Sequence, residues 1–299
     1  MDDILILTHI RPDGDTVGCG CALSYALRKI GKTAYLYNNP QFPDAYPWVS
    51  DPYVEPEGFA PKHIVAVDLA DVGMFPKGFE GHVELCIDHH PSNSMYADDT
   101  LLMAEKASCG EIVLEVAKAL MGTLDATIAD LLYVAVSTDC GCFAYGSTTG
   151  ETLQAGAELC FAGANNKYLN KVLFRTSSRA RIALEGMIFS DLRYYSEGKT
   201  VFAIVTKEMM AKAGATEQDC HDLANLPGRV EGALCSALLK ESDDGNVKIS
   251  LRSTGIINAN EICGLFGGGG HAMASGCCMK DKTCQEAADI LAAAIDKAY

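Results

Sequence analysis

Nowhere in these 299 residues is there a C-x-x-C pair, although thirteen cysteines are present. The close pairs are Cys19/Cys21, Cys140/Cys142 and Cys277/Cys278. That spacing argues against a thiolate zinc site or a thioredoxin-type redox site, and the odd count argues against a secreted disulfide framework. Buried, reduced thiols in a cytoplasmic protein are the expectation. Basic residues are scarce: 24 Lys and Arg face 39 Asp and Glu, a formal charge of −15. Such a chain is repelled by long polyanions, which excludes coating of long duplex nucleic acid. Capture of a short phosphate-bearing substrate at one local site stays open. No apolar run approaches the roughly 18–20 residues that span a bilayer. Met1-Asp2-Asp3 lacks the basic start of a secretory signal. No membrane partner is expected.

What is present is enough apolar material for ordinary cores, 48% hydrophobic against 21% charged residues, in a length that favours two domains. The first half alternates strand-length apolar runs at 4–7, 33–37, 64–67 and 83–87 with helical patterns at 16–30, 111–120 and 125–136. This predicts an α/β domain with a largely parallel sheet flanked by helices. Residues 149–190 turn helical, with Leu153, Ala157 and Cys160 on one apolar face. A smaller α/β domain follows, with strands at 201–205 and 247–251 and a closing helix at 286–298. The expected boundaries are 1–186, a linker at 187–198, and 199–299. Residues 38–56 form a Pro- and aromatic-rich loop holding Phe42, Tyr46, Tyr53 and the single tryptophan, Trp48. Such a loop either stacks bases or packs on its own domain or on a homodimer partner.

The strongest signal is positional. His9, Asp13 and Asp15 follow the first strand, Asp68 the third, and Asp88-His89-His90 the fourth, while Asp139 follows the apolar stretch 131–136. Ligands of open α/β sheets bind beyond the carboxyl ends of the strands, so these residues should meet at one sheet edge. Two imidazoles and four carboxylates suit divalent ions of intermediate hardness, Mn2+ ahead of Mg2+ or Zn2+. One central carboxylate could bridge two ions about 3.5–4 Å apart with a hydroxide between them. Asp88, His89 and His90 are adjacent and cannot all point one way, so they divide roles. Taken singly, Asp15 would be read as a helix N-cap, Asp13 as a turn residue and His90 as a loop histidine.

The spelling of these segments resembles the DHH phosphoesterase superfamily. His9-Ile10-Arg11-Pro12-Asp13-Gly14-Asp15 matches its H-x-x-P-D-G-D opening, Asp68 its isolated second-motif Asp, Asp88-His89-His90 its signature, and Asp139 its fourth motif. Cys19 and Cys140 stand where relatives commonly carry Ser or Thr, and neither is a ligand in the family scheme; an effect on local packing is expected. The resemblance implies one ion held by His9, Asp13 and Asp68, and a second by Asp15, Asp68, His89 and Asp139. It further implies that His90 contacts the scissile phosphate and that Asp88 orients a ligand imidazole.

Later in the chain, Ser250-Leu251-Arg252-Ser253 and Gly267-Gly268-Gly269-Gly270-His271 with Ala274-Ser275-Gly276 resemble the DHH-associated C-terminal domain. The glycine run is no Walker loop, since His271 rather than Lys-Ser/Thr follows. Glycines let backbone N–H groups approach an anion, and Arg252 can grip a phosphate by a bidentate pair. Arg252, Ser253, Gly268, Gly269, Gly270 and His271 are therefore the expected substrate-binding residues, across a cleft from the metals. Asp13, Asp15, Asp68 and Asp139 carry −4, which two divalent ions cancel, so attraction for a phosphodiester has to come from such a clamp.

The resemblance extends to stand-alone, two-domain members that cut short oligoribonucleotides to mononucleotides, some of which also dephosphorylate 3′-phosphoadenosine 5′-phosphate. Short single-stranded RNA or small nucleotides are the expected partners. The alternatives are linear or cyclic dinucleotides as substrates and, from another class, a non-catalytic nucleotide-binding regulator. The net negative charge then acts as a length filter, opposing long strands more than short ones.

Overall fold

Four successive apolar residues, Ile4–Leu7, make β1, and all four are buried because strands of a parallel sheet are covered on both faces. In the computed structural model, which describes residues 1–42, 46–220 and 222–299, two compact units are present, Met1–Thr176 and Ser177–Tyr299. In the first, β1 is followed by α1 (Gly14–Lys29), β2 (Ala34–Leu36), the single turn α2 (Pro47–Ser50), β3 (His63–Val67), β4 (Leu85–Asp88) and β5 (Asp99–Leu102). The strands form one parallel sheet in the order β2-β1-β3-β4-β5. The chain moves to one side from β1 to β2 and to the other at β3, so the switch point lies between β1 and β3.

Four helices complete this unit: α3 (Cys109–Met121), α4 (Ala126–Asp139), α5 (Gly150–Phe161) and α6 (Asn166–Phe174). Residues 131–137 of α4 are all buried, the mark of a helix surrounded on every side. Close crossing is made possible by Gly18 of α1, where a Cβ would stand 2.7 Å from the Leu131 carbonyl oxygen and 2.8 Å from Ala135 N. The sequence predicted α5 as helix but chose the wrong inner face. Thr152, Ala155, Gly156 and Leu159 point inward, whereas Leu153, Ala157 and Cys160 are exposed. Of the aromatic loop, Phe42 and Tyr46 pack against the domain core and Tyr53 belongs to it; the Trp48 side chain lies outside the described residues.

The second unit begins with α7 (Arg179–Ser190) and continues through β6 (Arg193–Tyr195), β7 (Thr200–Val205), α8 (Lys207–Ala213), β8 (Cys235–Glu241), β9 (Val247–Ser253), α9 (Ala259–Gly264), β10 (Gly269–Gly270), β11 (Ala274–Met279) and α10 (Cys284–Asp296). Its mixed sheet runs β10-β11-β9-β8-β7-β6, with only β7 and β8 parallel. Alternation along β7 divides two small cores. Phe202 and Ile204 pack with residues of α9 and α10, while Ala203 and Val205 pack with Leu184 and Ile188 of α7. This packing puts α7 in the second unit, so the division falls at 176/177 rather than at the expected linker 187–198. Eight of the thirteen cysteines are buried and none is in a disulfide. Among the described residues, no helix is long and apolar enough to cross a membrane.

Candidate metal centre

The chain leaves β1 through Thr8 and His9 and re-enters regular structure at α1, whose N-cap is Asp13. Asp13 Oδ1 accepts from the amides of Asp15 and Thr16 at 3.1 and 3.2 Å. Capping thus falls to Asp13, not to Asp15 as the isolated residues suggested. Thr16 Oγ1 donates to the Val67 carbonyl at 3.1 Å and ties the start of α1 to the end of β3. Next along β3 comes Asp68, buried and held at φ 53°, a left-handed backbone that a non-glycine residue rarely adopts without a functional reason.

These elements gather the predicted residues into three overlapping groups: His9, Asp13 and Asp68; Asp15, His89 and Asp139; and Asp68, His89 and His90. Within each group the nearest ligand atoms lie within 4.8 Å of one another. His9 Nε2 is 3.6 Å from Asp13 Oδ1 and 3.9 Å from Asp68 Oδ2. His89 Nε2 is 3.4 Å from Asp68 Oδ1, 3.5 Å from Asp139 Oδ2 and 4.0 Å from Asp15 Oδ2. Asp139, the last residue of α4, reaches the group from a helix end. Asp68 Oδ1 is buried and makes no hydrogen bond, a costly state for a carboxylate oxygen that a cation would relieve. The donor set and this orphaned oxygen fit divalent ions of the Mn2+ and Mg2+ kind better than a soft thiophilic metal, for no thiol is in any of the groups.

Supporting contacts fix the ligands. His89 Nδ1 lies 3.1 Å from the Lys106 carbonyl, which makes that nitrogen the N–H and leaves Nε2 facing the carboxylates. Asp15 accepts from the first amides of α3, Cys109 N at 2.7 Å and Gly110 N at 2.9 Å. A helix N-terminus favours a carboxylate there. The Cys19 thiol lies 3.2 Å from Asp15 Oδ1, so this residue contacts the site as well as packing beneath it. Asp88 is fully buried: its Oδ1 accepts from the His89 amide at 2.8 Å and from His90 Nδ1 at 2.7 Å, and its Oδ2 from Asn93 Nδ2 at 2.6 Å, so the imidazole it holds is that of His90. Asn93, Lys106, Cys109 and Gly110 escaped the sequence reading because three of them act through backbone groups or local geometry. Asn93 alone left a trace, as a polar residue soon after Asp88-His89-His90.

The charges are crowded. Burial pushes the Asp15 carboxyl well up, aided by Asp68 and Asp139. Burial likewise raises Asp139 to about 6 against the pull of His89. Burial works the other way on His89, but Asp68, Asp15 and Asp139 outweigh it and raise the imidazole to about 10. The hydrogen bond that His90 donates to Asp88 raises His90, and Asp88 itself is held low, because its bonds to His90 and Asn93 exceed the effect of its burial. His89 therefore carries a proton among carboxylates at neutral pH, where a bound cation would compete with it.

In the second unit the expected phosphate cradle is built differently. Gly267 N donates to the Gly264 carbonyl, Gly268 N to Cys263 at 2.9 Å, Gly270 N to Asn260 Oδ1 at 2.9 Å and His271 N to Ala274 at 2.8 Å. Three of the glycine amides that were to meet an anion, and the His271 amide beside them, are thus committed within the domain. Gly268 is glycine for packing, since a Cβ would stand 2.2 Å from the Gly276 carbonyl oxygen. Ser253 Oγ accepts from the amides of Gly255 and Ile257 at 3.1 and 3.3 Å, which makes it a turn anchor. Gly269 has room for a Cβ, which would stand 3.7 Å from Asn260 Oδ1, and His271 is exposed. Arg252 is half-buried, with Nε 3.3 Å from Asn225 Oδ1 and Nη1 3.1 Å from the Leu251 carbonyl.

Comparison with known proteins gives this architecture a family. The model of the DHH family, N-terminal domain, matches residues 3–136, and that of the DHHA1 domain matches residues 198–298. The chain is 33% identical to the bifunctional oligoribonuclease and PAP phosphatase NrnA of Thermus thermophilus, over 93% of this chain and 84% of that one. It is 27% identical to the protein of the same name from Bacillus subtilis, over 92% and 88%. A crystal structure of an exopolyphosphatase-related protein from Bacteroides fragilis covers 99% of this chain, and 92% of its own, with a TM-score of 0.89 at 25% identity. The chain belongs to the DHH family of phosphoesterases and carries a DHHA1 second domain.

Proposed function

We propose that this protein is a phosphoesterase that hydrolyses short oligoribonucleotides to mononucleotides and removes a phosphate from 3′-phosphoadenosine 5′-phosphate. The observation that carries the reading is the pair of ligand sets meeting at Asp68, whose Oδ1 is buried and unsatisfied. The names of the Thermus and Bacillus relatives support the choice of substrate. His9, Asp13 and Asp68 would hold one divalent ion, and Asp15, Asp68, His89 and Asp139 the other, with Mn2+ the preferred metal and Mg2+ the substitute. Bound there, the ions supply a hydroxide nucleophile at neutral pH and draw charge from the phosphoryl oxygens.

The protein's own groups do the rest. His90, whose imidazole is biased toward the protonated form by its hydrogen bond to Asp88, donates to a phosphate oxygen and stabilises the charge that builds there. Asp88 is a positioning residue, for both its oxygens are engaged with His90 and Asn93. Arg252 of the second domain grips a substrate phosphate by charge and His271 by hydrogen bonding; Gly269 allows close approach. A reducing cytoplasm suits the thiol-rich cores.

A panel of substrates with Mn2+ tests this reading: ribonucleotides of two to ten residues, 3′-phosphoadenosine 5′-phosphate, linear and cyclic di-AMP, and pyrophosphate. The expected ranking puts the shortest RNA and 3′-phosphoadenosine 5′-phosphate first. Faster release of orthophosphate from pyrophosphate than from any nucleotide would overturn it.

A further inference from the structure

Several cations of this acidic protein are answered by a carboxylate: Lys29 by Asp125, Lys106 by Glu151, Lys118 by Glu115 and Glu158, Arg181 by Glu185 and Lys240 by Glu217. The three on α6 and its C-cap are not. Lys167, Lys171 and Arg175 follow one another at i, i+4 and i+8 along α6 and its C-cap, and all three are exposed. No ion pair joins any of them to a carboxylate among the described residues. The spacing puts them on one face, about 12 Å from end to end. The opposite face is the packed one, where Leu169 is buried in the domain core and Leu173 lies against it.

The direction of the stripe is fixed by its contacts with α4. Asn165 N donates to Asp130 Oδ1 at 2.6 Å, and Tyr133 Oη to Asn170 Oδ1 at 3.1 Å, so the two helices run alongside in the same sense. Helix α4 ends in Asp139, a predicted metal ligand. At the matching end of α6, burial raises the Cys142 thiol, three residues beyond Asp139, and the positive charge of Arg175 opposes that rise. The cationic row therefore leads toward the loop that borders the metal centre. Exposed rings accompany it: Tyr168 and Phe174 on α6 are 51% and 36% exposed, and Phe161 at the end of α5 is 93% exposed. Cations spaced along a track with aromatic faces beside them are the chemistry that holds single-stranded nucleic acid.

We propose that the Lys167–Lys171–Arg175 face of α6 binds the phosphates of an oligoribonucleotide beyond the residue being released. The inference rests on the reading of the chain as an oligonucleotide hydrolase, and it adds a limit to it. A track of about 12 Å accommodates two or three phosphates. Affinity should therefore grow from the dinucleotide to about five residues and then stop growing, as further phosphates meet an acidic surface.

The test compares the full-length, Mn2+-loaded protein with a K167Q/K171Q/R175Q variant. The probe is a fluorescent pentaribonucleotide with phosphorothioate linkages, which keep the charge while slowing hydrolysis; its anisotropy is followed from 50 to 300 mM salt. The variant should bind about tenfold more weakly at low salt. The slope of log affinity on log salt should shrink by about 2, the sum of three contacts at roughly 0.7 each. Hydrolysis of 3′-phosphoadenosine 5′-phosphate should stay within twofold, and K167R/K171R should bind as the wild type does. An unchanged affinity and slope would overturn the proposal, as would a wild type that binds no pentamer or an equal loss for dimer and pentamer. If the wild type hydrolyses no nucleotide and yet the slope shrinks in the variant, the track stands and the enzymatic reading falls. If the wild type hydrolyses nucleotides and the slope is unchanged in the variant, the enzymatic reading stands and the track falls.

Discussion

The metal centre of the first domain and the glycine-rich hairpin of the second both looked, as strings of letters, like places where a ligand is held. Their polar groups are in opposite states. Around Asp68, imidazole nitrogens and carboxylate oxygens stand 3.4 to 4.0 Å apart, too far for good hydrogen bonds, and Asp68 Oδ1 has none. In the hairpin, the amides of Gly267, Gly268, Gly270 and His271 are all bonded to the protein itself. Groups that the fold leaves unsatisfied point to a missing partner, whereas groups it satisfies do not. The first region is built to be completed by ions. The second is a closed structure that offers side chains, Arg252 and His271, at its surface.

The sharpest way to break that comparison is to mutate one residue from each region and separate kcat from KM. Asp68→Ala removes the carboxylate common to two ligand groups. It should lower Mn2+-dependent kcat by at least ~10³-fold, about 4 kcal/mol of transition-state stabilisation, with the fold retained by circular dichroism. Arg252→Ala removes the substrate contact proposed for the second domain and should raise KM roughly tenfold while kcat stays within about threefold, the signature of lost uniform binding. If Arg252→Ala depressed kcat as far as Asp68→Ala, the division of labour between the domains would be wrong.

Stability separates the two uses of glycine within the hairpin. A Cβ at Gly268 would stand 2.2 Å from the Gly276 carbonyl and 2.5 Å from Cys277 Cβ, so Gly268→Ala should cost about 3 kcal/mol in chemical denaturation. At Gly269 the nearest atom is Asn260 Oδ1 at 3.7 Å, and Gly269→Ala should stay within about 0.5 kcal/mol. Equal costs at both positions would mean that the hairpin is less closely packed than the structure has it.

This difference also marks how far the sequence could be read. The gathering of the candidate ligands was legible because parallel strands hand their next residues to one edge, a rule of topology that needs no side-chain detail. His9, Asp68 and Asp88 each follow a buried run of apolar residues, and the runs themselves are plain. β5 went unseen because Asp99-Thr100-Leu101-Leu102 is an edge strand with no buried residue. β11 went unseen because Ala274–Met279 is mostly small residues, with Gly276 in its middle. The inner face of α5 was misjudged since Leu153 and Cys160 are apolar yet exposed, while Thr152 is buried and bonded to Glu111. Whether an amide is free or bonded is settled by contacts between residues distant in sequence, and no spacing reveals it. The same holds for Asp88, which bonds the amide of His89 but the imidazole of His90, at 2.8 and 2.7 Å.

A finer test uses protons, since only the first region should exchange them for metal. In the metal-free protein His89 is raised to about 10, so its contribution to stability is complete below roughly pH 6.5 and is lost as pH rises toward 10. Asp139, raised to about 6, favours the fold most below about pH 4 and loses that advantage as pH climbs through 6. Both groups make the metal-free fold weaker at higher pH. Both must also be deprotonated to ligate an ion, so binding has to displace the proton that His89 carries at neutral pH. Titration calorimetry at pH 7.5 in buffers of different ionisation heat should report release of about one proton on Mn2+ binding, and the rise in melting temperature on adding Mn2+ should be larger at pH 8 than at pH 6. His89→Gln should abolish most of the proton release while Arg252→Ala leaves it intact. Binding that releases no proton, and is equally tight at both pH values, would show that the imidazole facing Asp68 and Asp139 is not a ligand.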